Sequence, residues 1–140
     1  VKALQARLAA NGLLRSGTML RGVLSISQQL LKAHAASVSQ TYVWAIDQSI
    51  VTSQTWARSL AVTACDSLGP VRDAGLQALR QACDLAGQPR LYERLATELD
   101  ETHATARETI KTDLDAAFAV KRRGLVRALA SLLQRVLPGK

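Results

Sequence analysis

Apolar residues recur at steps of three and four along most of the chain, and few residues interrupt them. The clearest run contains Leu91, Leu95, Leu99, Ala106, Ile110, Leu114 and Phe118. This spacing places the side chains on one face of a helix, whereas the period of two typical of strands is never sustained. Aromatic residues make up only 4% of the sequence, so packing between Leu- and Ala-rich helices is favoured. We therefore predict an all-α bundle of four to six helices, some long, joined by short Gly/Pro turns.

The positions of breakers suggest where these helices end. A short first helix is expected over Lys2–Ala10. Residues 18–68 form one helix or two, and we expect any bend at Ser37–Thr41, because four of these five residues are Ser, Gln or Thr. Gly87-Gln88-Pro89 ends a helix that begins at Val71, and a long helix follows.

One domain is expected over residues 1–140. Within it, residues 1–17 are a candidate basic N-terminal arm, and residues 121–140 form a basic amphipathic C-terminal helix. Gly124 interrupts the last long helix only weakly, because an isolated glycine costs a helix about 1 kcal/mol.

The two cysteines are expected to remain separate thiols. Cys65 and Cys83 flank Gly69-Pro70. If antiparallel helices met at that turn, the two residues would differ in height by roughly 14 Å, too far for a disulfide without a helix break. A break at Gly75 would allow the pairing. Free buried thiols indicate a reducing, intracellular compartment.

No set of residues specifies a reaction or a metal. The chain has two histidines, His34 and His103, and both fall at core or half-buried positions of their helices. A di-iron bundle needs more carboxylate and histidine ligands than these helices supply. Glycine-rich phosphate loops are absent, and no uncharged stretch is apolar enough to span a membrane. We expect no catalytic residues, no metal, no cofactor and no small-molecule substrate.

Charge is segregated along the chain. The first 46 residues carry five basic side chains and no acid, and residues 116–140 carry six and no acid. The segment between them holds all 11 acids and 7 bases. Net charges of +5, −4 and +6 give the total of +7. Both ends are therefore expected to contact anionic surfaces.

The N-terminal 32 residues resemble in composition a mitochondrial or plastid targeting segment, because Arg7, Arg15 and Arg21 lie among Leu, Ala and Ser. This composition predicts a mitochondrial location, with a bundle helix that merely lacks acids as the alternative. Residue 1 is valine, so we expect a processed chain or a fragment.

The C-terminal segment carries a second basic cluster. Arg122, Arg123, Arg127 and Arg135 accompany the apolar residues of an amphipathic helix. Such a helix can lie on anionic lipid or bind an acidic or phosphate-bearing surface. A solvated basic face is the alternative without function.

The third feature is a stretch without charge. From Ala33 to Ala57 the only charged residue is Asp47, although exposed helix faces normally carry Lys, Arg, Glu or Asp. Either this helix is central in the bundle, or a partner covers its second face. We nominate Tyr42, Trp44, Val51 and Trp56 as partner-interface residues.

Together these patterns favour a non-catalytic structural subunit of a larger assembly, at or near a mitochondrial membrane. Other protein subunits are the expected partners, and an anionic membrane surface is a further one. Two alternatives are an autonomous nucleic-acid-binding helical domain of the ribosome-associated type and a coat protein on lipid surfaces. The first is less favoured because the aromatic residues lie away from the basic C-terminal segment.

Overall fold

A computed structural model describes residues 1–4, 6, 17–50 and 53–136, and these residues form an all-α bundle without strands. Four helices follow one another: α1 over Gly17–Gln48, α2 over Gln54–Asp66, α3 over Gly69–Leu85 and α4 over Tyr92–Val136. A short 3-10 helix, Pro89–Leu91, precedes α4. The predicted fold class is thereby confirmed. Of the predicted helix Lys2–Ala10, residues 2–4 and 6 are helical and the rest lies outside the described residues.

The two long helices α1 and α4 run parallel. Gln28 donates to Thr102, Ser39 donates to Asp113, and Lys121 donates to the carbonyl oxygen of Asp47. Each pair is separated by 74 residues, and this constant offset requires the same direction for both helices. These three polar contacts lie at successive levels of the two helices. They therefore fix the register of the parallel pair along its length.

The helices α2 and α3 together run the opposite way. Cys65 of α2 contacts the carbonyl of Arg107, Arg72 of α3 pairs with Asp100, and the guanidinium of Arg80 lies over the ring of Tyr92. Residue numbers therefore rise along α2 and α3 as they fall along α4. The four described helices form three rods, and the second rod in chain order is broken between α2 and α3.

The chain does not reverse direction at Gly69-Pro70, contrary to the turn considered from the sequence. Ser67 and Leu68 keep helical dihedral angles, and Pro70 lies in the first turn of α3, where its missing N–H costs little. The break between α2 and α3 is thus a kink. Leu68 is fully buried at this kink. Cys65 and Cys83 are both buried and unbridged, which confirms the expectation of separate thiols.

The bend expected at Ser37–Thr41 is absent, because α1 continues through it and ends at Gln48. The polar side chains there find partners compatible with a helix. Ser39 is buried and donates to Asp113, and the Thr41 hydroxyl donates to the carbonyl of Ser37 one turn earlier. The break between α1 and α2 lies after Gln48 instead, and Ser53 caps α2 by accepting from the backbone N–H of Trp56.

The core forms where the three rods meet. Its largest fully buried side chains include Met19, Leu24, Leu31, Ile46, Leu79, Leu99, Ile110 and Leu114. The predicted apolar face of α4 is confirmed, since every member from Leu95 to Phe118 is buried. The helix end predicted at Gly87 is confirmed too. Gly87 has φ +69°, and the N–H groups of Gly87 and Gln88 bond back to Asp84 and Cys83, as in a Schellman cap.

Candidate partner interface

The last part of α4 extends beyond the bundle. Phe118 is the last buried residue of this helix, and α4 continues to Val136. We call residues 119–136 the C-terminal extension. At 1.5 Å per residue its 18 residues project about 27 Å. Gly124 does not interrupt the helix, and every residue of the extension from position 126 onward is exposed.

The extension carries a mostly apolar seam that starts at the last buried position of α4. Starting at Phe118, steps of four and three alternate through Arg122, Leu125, Leu129, Leu132 and Val136. Val126 and Leu133 lie beside this line and widen it. Residues spaced by seven drift by only about 20° around a helix. The apolar face of the extension therefore points to the side on which Phe118 meets the core, but from position 126 onward no described residue covers it.

α1 ends beside the base of the extension, and the antiparallel contacts of Cys65 with Arg107 and of Arg72 with Asp100 place the start of α2 near Phe118. The bond from Lys121 to the Asp47 carbonyl, 2.7 Å long, places the end of α1 at this level. Ile50 and Trp44 lie near this end, with side chains 91% and 64% exposed. Eight of the twelve large hydrophobic side chains that are exposed in the described part belong to residues 44, 50 and 119–136. Within the described residues, exposed apolar surface is thus concentrated at one end of the bundle.

All charged residues of the extension are cationic. It carries Lys121, Arg122, Arg123, Arg127 and Arg135 and no carboxylate. Apart from Lys121, these side chains are exposed, and none pairs with an acid in the described part of the chain. The N-terminal basic residues differ. Arg21 forms a 2.8 Å ion pair with Glu98 within the bundle, and Arg7 and Arg15 lie outside the described residues.

The four nominated interface residues have different surroundings. Trp44 is exposed, whereas Tyr42 and Trp56 are half-buried and pack against the core. Val51 lies outside the described residues. The bundle therefore covers part of Tyr42 and Trp56, and Trp44 is the aromatic side chain most available to a partner. The interface assigned to this group stays a prediction.

The outer face of α1 is poor in charge, as its sequence suggests. Between Ala33 and Gln48 the exposed residues are Ala33, Ala36, Ser37, Gln40, Thr41, Trp44, Asp47 and Gln48. This face borders a groove of about 850 Å³ between α1 and α4, whose other wall includes Thr105 and Thr109. The groove also contains Lys32, Glu101 and Asp113, so its lining mixes polar and apolar surface.

A second groove, of about 740 Å³, lies between α1 and α3 and is mainly apolar. His34 is half-buried in its wall, beside Leu30 and Val71. His103, also half-buried, lies on α4 near the Arg72–Asp100 ion pair. Burial lowers the pKa of His103, and the charges of Arg72 and Arg107 lower it further.

Three further properties concern the reactivity of the cysteines, metal binding and membrane spanning. Burial raises the pKa of both cysteine thiols, so neither is activated as a nucleophile. Among residues 1–4, 6, 17–50 and 53–136, no cluster of three or more His, Cys, Asp or Glu side chains is placed to hold a metal ion. The same residues contain no helix with the length and hydropathy needed to cross a membrane.

Comparison with protein-family models, curated proteins and solved structures finds no match to this chain. The sequence indicated both the arginines of the extension and an amphipathic segment whose apolar face includes Leu129 and Leu132, but not that this face is uncovered. The alternating steps of four and three were the available signal, but spacing alone does not distinguish a covered apolar face from an open one.

Proposed function

We propose that this chain is a non-catalytic structural subunit of a larger assembly, attached to it mainly through the C-terminal extension. One observation carries the proposal: α4 maintains its apolar face for 18 residues past its last buried residue. Most helical stability in proteins comes from packing of an amphipathic face, and the described residues supply no such packing from position 126 onward. Leucines at core spacing on an uncovered helix are typical of a surface that another molecule covers.

The charge-poor outer face of α1 supports the same proposal as a second, weaker contact. Its exposed residues between positions 33 and 48 include one charge, Asp47, and one large aromatic side chain, Trp44. Small uncharged side chains let a neighbouring chain approach closely, and an aromatic anchor supplies buried area. A mitochondrial location for the assembly rests on the composition of residues 1–32 and is part of the proposal.

The experiment compares two variants in extracts of the source cells. Leu129→Asp places a charge on the apolar face of the extension. Gln134→Asp places the same charge on the opposite face, about 140° away around the helix, and is the matched control. We expect the wild type and Gln134→Asp to migrate with a large complex in size fractionation, and Leu129→Asp to migrate as free chain.

Fractionation of the wild type as free chain under gentle extraction would contradict the proposal. So would equal behaviour of the two aspartate variants, because attachment would then not depend on the apolar face.

A further inference from the structure

We infer that the occupant of the C-terminal extension is an acidic pair of helices from another protein, stacked end-on against the bundle. This inference rests on the proposed function and specifies its partner. Three observations carry it: the width of the apolar face, its position relative to the ends of α1 and α2, and the placement of Arg122.

The width of the apolar face indicates two helices. A seam filled only at alternating steps of four and three is narrow and suits a single partner helix. Val126 and Leu133 extend this seam to one side, so the apolar stripe spans about 120° of the helix circumference. Inside the bundle, the corresponding face of α4 packs against two rods, α1 and the α2–α3 rod. A pair of partner helices would continue both rods beyond their ends.

The position of the face disfavours a flat membrane. The apolar face of the extension points to the side of α4 on which α1 and α2 pack, and Lys121 bonds to the end of α1 at its base. The face therefore forms one wall of a corner, and the end of the bundle forms the other. A helix is about 10 Å across, so a planar surface seated along this face would overlap the adjacent rods. A pair of helices fits the corner.

The charge of the extension specifies acidic partner helices. Five cations and no carboxylate lie on residues 119–136, so a second copy of this chain would bring like charges together. Arg122 is the critical residue because it occupies a seam position between Phe118 and Leu125. A helix pair that covers the seam would also cover the guanidinium of Arg122. Covering it is strongly unfavourable unless a carboxylate pairs with it.

The experiment uses photo-crosslinking in the native assembly. A diazirine analogue of leucine replaces Leu129, and in a control chain it replaces Gln134 on the opposite face. The adducts are identified by mass spectrometry. We expect position 129 to label a helical, net-acidic segment of another protein, with at least about tenfold less labelling from position 134.

Charge variants then test the role of Arg122. We expect Arg122→Glu to reduce the crosslink yield from position 129 by about tenfold or more, a change equivalent to about 1.4 kcal/mol. Arg127→Glu makes the same charge change on the opposite face of the extension. We expect a smaller loss of yield from that variant, because an exposed guanidinium contributes only a screened attraction to an acidic partner.

Several outcomes would overturn the inference and leave the proposed function intact. These are adducts with lipid, with a second copy of this chain or with a segment that is not acidic, and equal losses from Arg122→Glu and Arg127→Glu. Absence of any adduct from position 129, together with migration of the wild type as free chain, would overturn the proposed function itself.

Discussion

Gly75 is the residue at which packing leaves least room. A β-carbon added there would lie 2.9 Å from Cδ2 of Leu99 and 3.3 Å from Cβ of Ser27. Leu99 is only 1% exposed, so it has little space in which to move. Crowding of this kind costs about 1–3 kcal/mol, which exceeds the gain of about 1 kcal/mol in helix propensity from glycine to alanine. We expect Gly75→Ala to lower the free energy of unfolding in urea by about 1 kcal/mol.

Gly124→Ala is the matched control, because a β-carbon at Gly124 would meet nothing within 4 Å. That variant should leave the free energy of unfolding unchanged or slightly higher. A stabilised Gly75→Ala protein would show that α1 and α4 yield easily at this contact.

His103 should make stability depend on pH. Its pKa is lowered in the folded chain by burial, then by Arg72 and Arg107, against opposing effects of Asp100 and Asp73. The imidazole of His103 binds a proton near pH 6.5 in the unfolded chain. In the folded chain it binds that proton only at a lower pH. The contribution to stability is complete above pH 6.5 and is lost as pH falls through the folded pKa.

We expect the free energy of unfolding in urea to fall as the pH is lowered below 6.5, and His103→Gln to remove part of that slope. An identical slope in the variant would mean that the imidazole is protonated equally in both states.

At the scale of elements, α4 presents one apolar seam in two environments. Leu114 is buried in the bundle, whereas Leu129 is 61% exposed on the extension. We expect Leu114→Ala to cost about 2–5 kcal/mol because it leaves a cavity. We expect Leu129→Ala to change stability by no more than about 0.5 kcal/mol. Thermal and urea unfolding of the two purified variants measures both values. Comparable losses would indicate that the extension is covered in the isolated chain.

The helices were largely predictable from the sequence, because their buried positions repeat at steps of three and four and this periodicity is visible in the local sequence. The bend was misplaced, since Ser37–Thr41 has the composition of a breaker. The hydrogen bond from Ser39 to Asp113, a residue 74 positions away, helps to keep α1 helical there. The parallel pairing of α1 and α4 has no local signature either.

The candidate interface was predictable in part for a related reason. The acid-free composition of residues 116–140 indicated that the arginines of this segment contact an anionic surface. Which leucines of α4 are exposed depends on where α1 ends and α2 begins. The sequence did not predict the break between these helices after Gln48. Only the relative lengths of the three rods distinguish the covered part of α4 from the open part.

At the scale of the whole molecule, the bundle and the extension should behave independently. Truncation after Leu125 keeps every core side chain and the contact of Lys121 with α1. We expect the truncated chain to unfold cooperatively, with a free energy of unfolding within about 1 kcal/mol of the full chain.

In light scattering over a concentration series, we expect the full chain to self-associate weakly. The association should increase with salt, which screens the repulsion between extensions, and the truncated chain should remain monomeric. A full chain that stays monomeric under every condition would argue against an open apolar face.

The fixed offset between α1 and α4 also sets a delay during translation. Paired residues of the two helices are 74 positions apart, which corresponds to about 4–15 s at typical rates of synthesis. For that time α1 has left the ribosome while the helix that forms its largest interface is still incomplete. Nascent chains paused before Phe118 would hold an unpaired amphipathic helix, and we expect them to depend on chaperones more than the finished protein does.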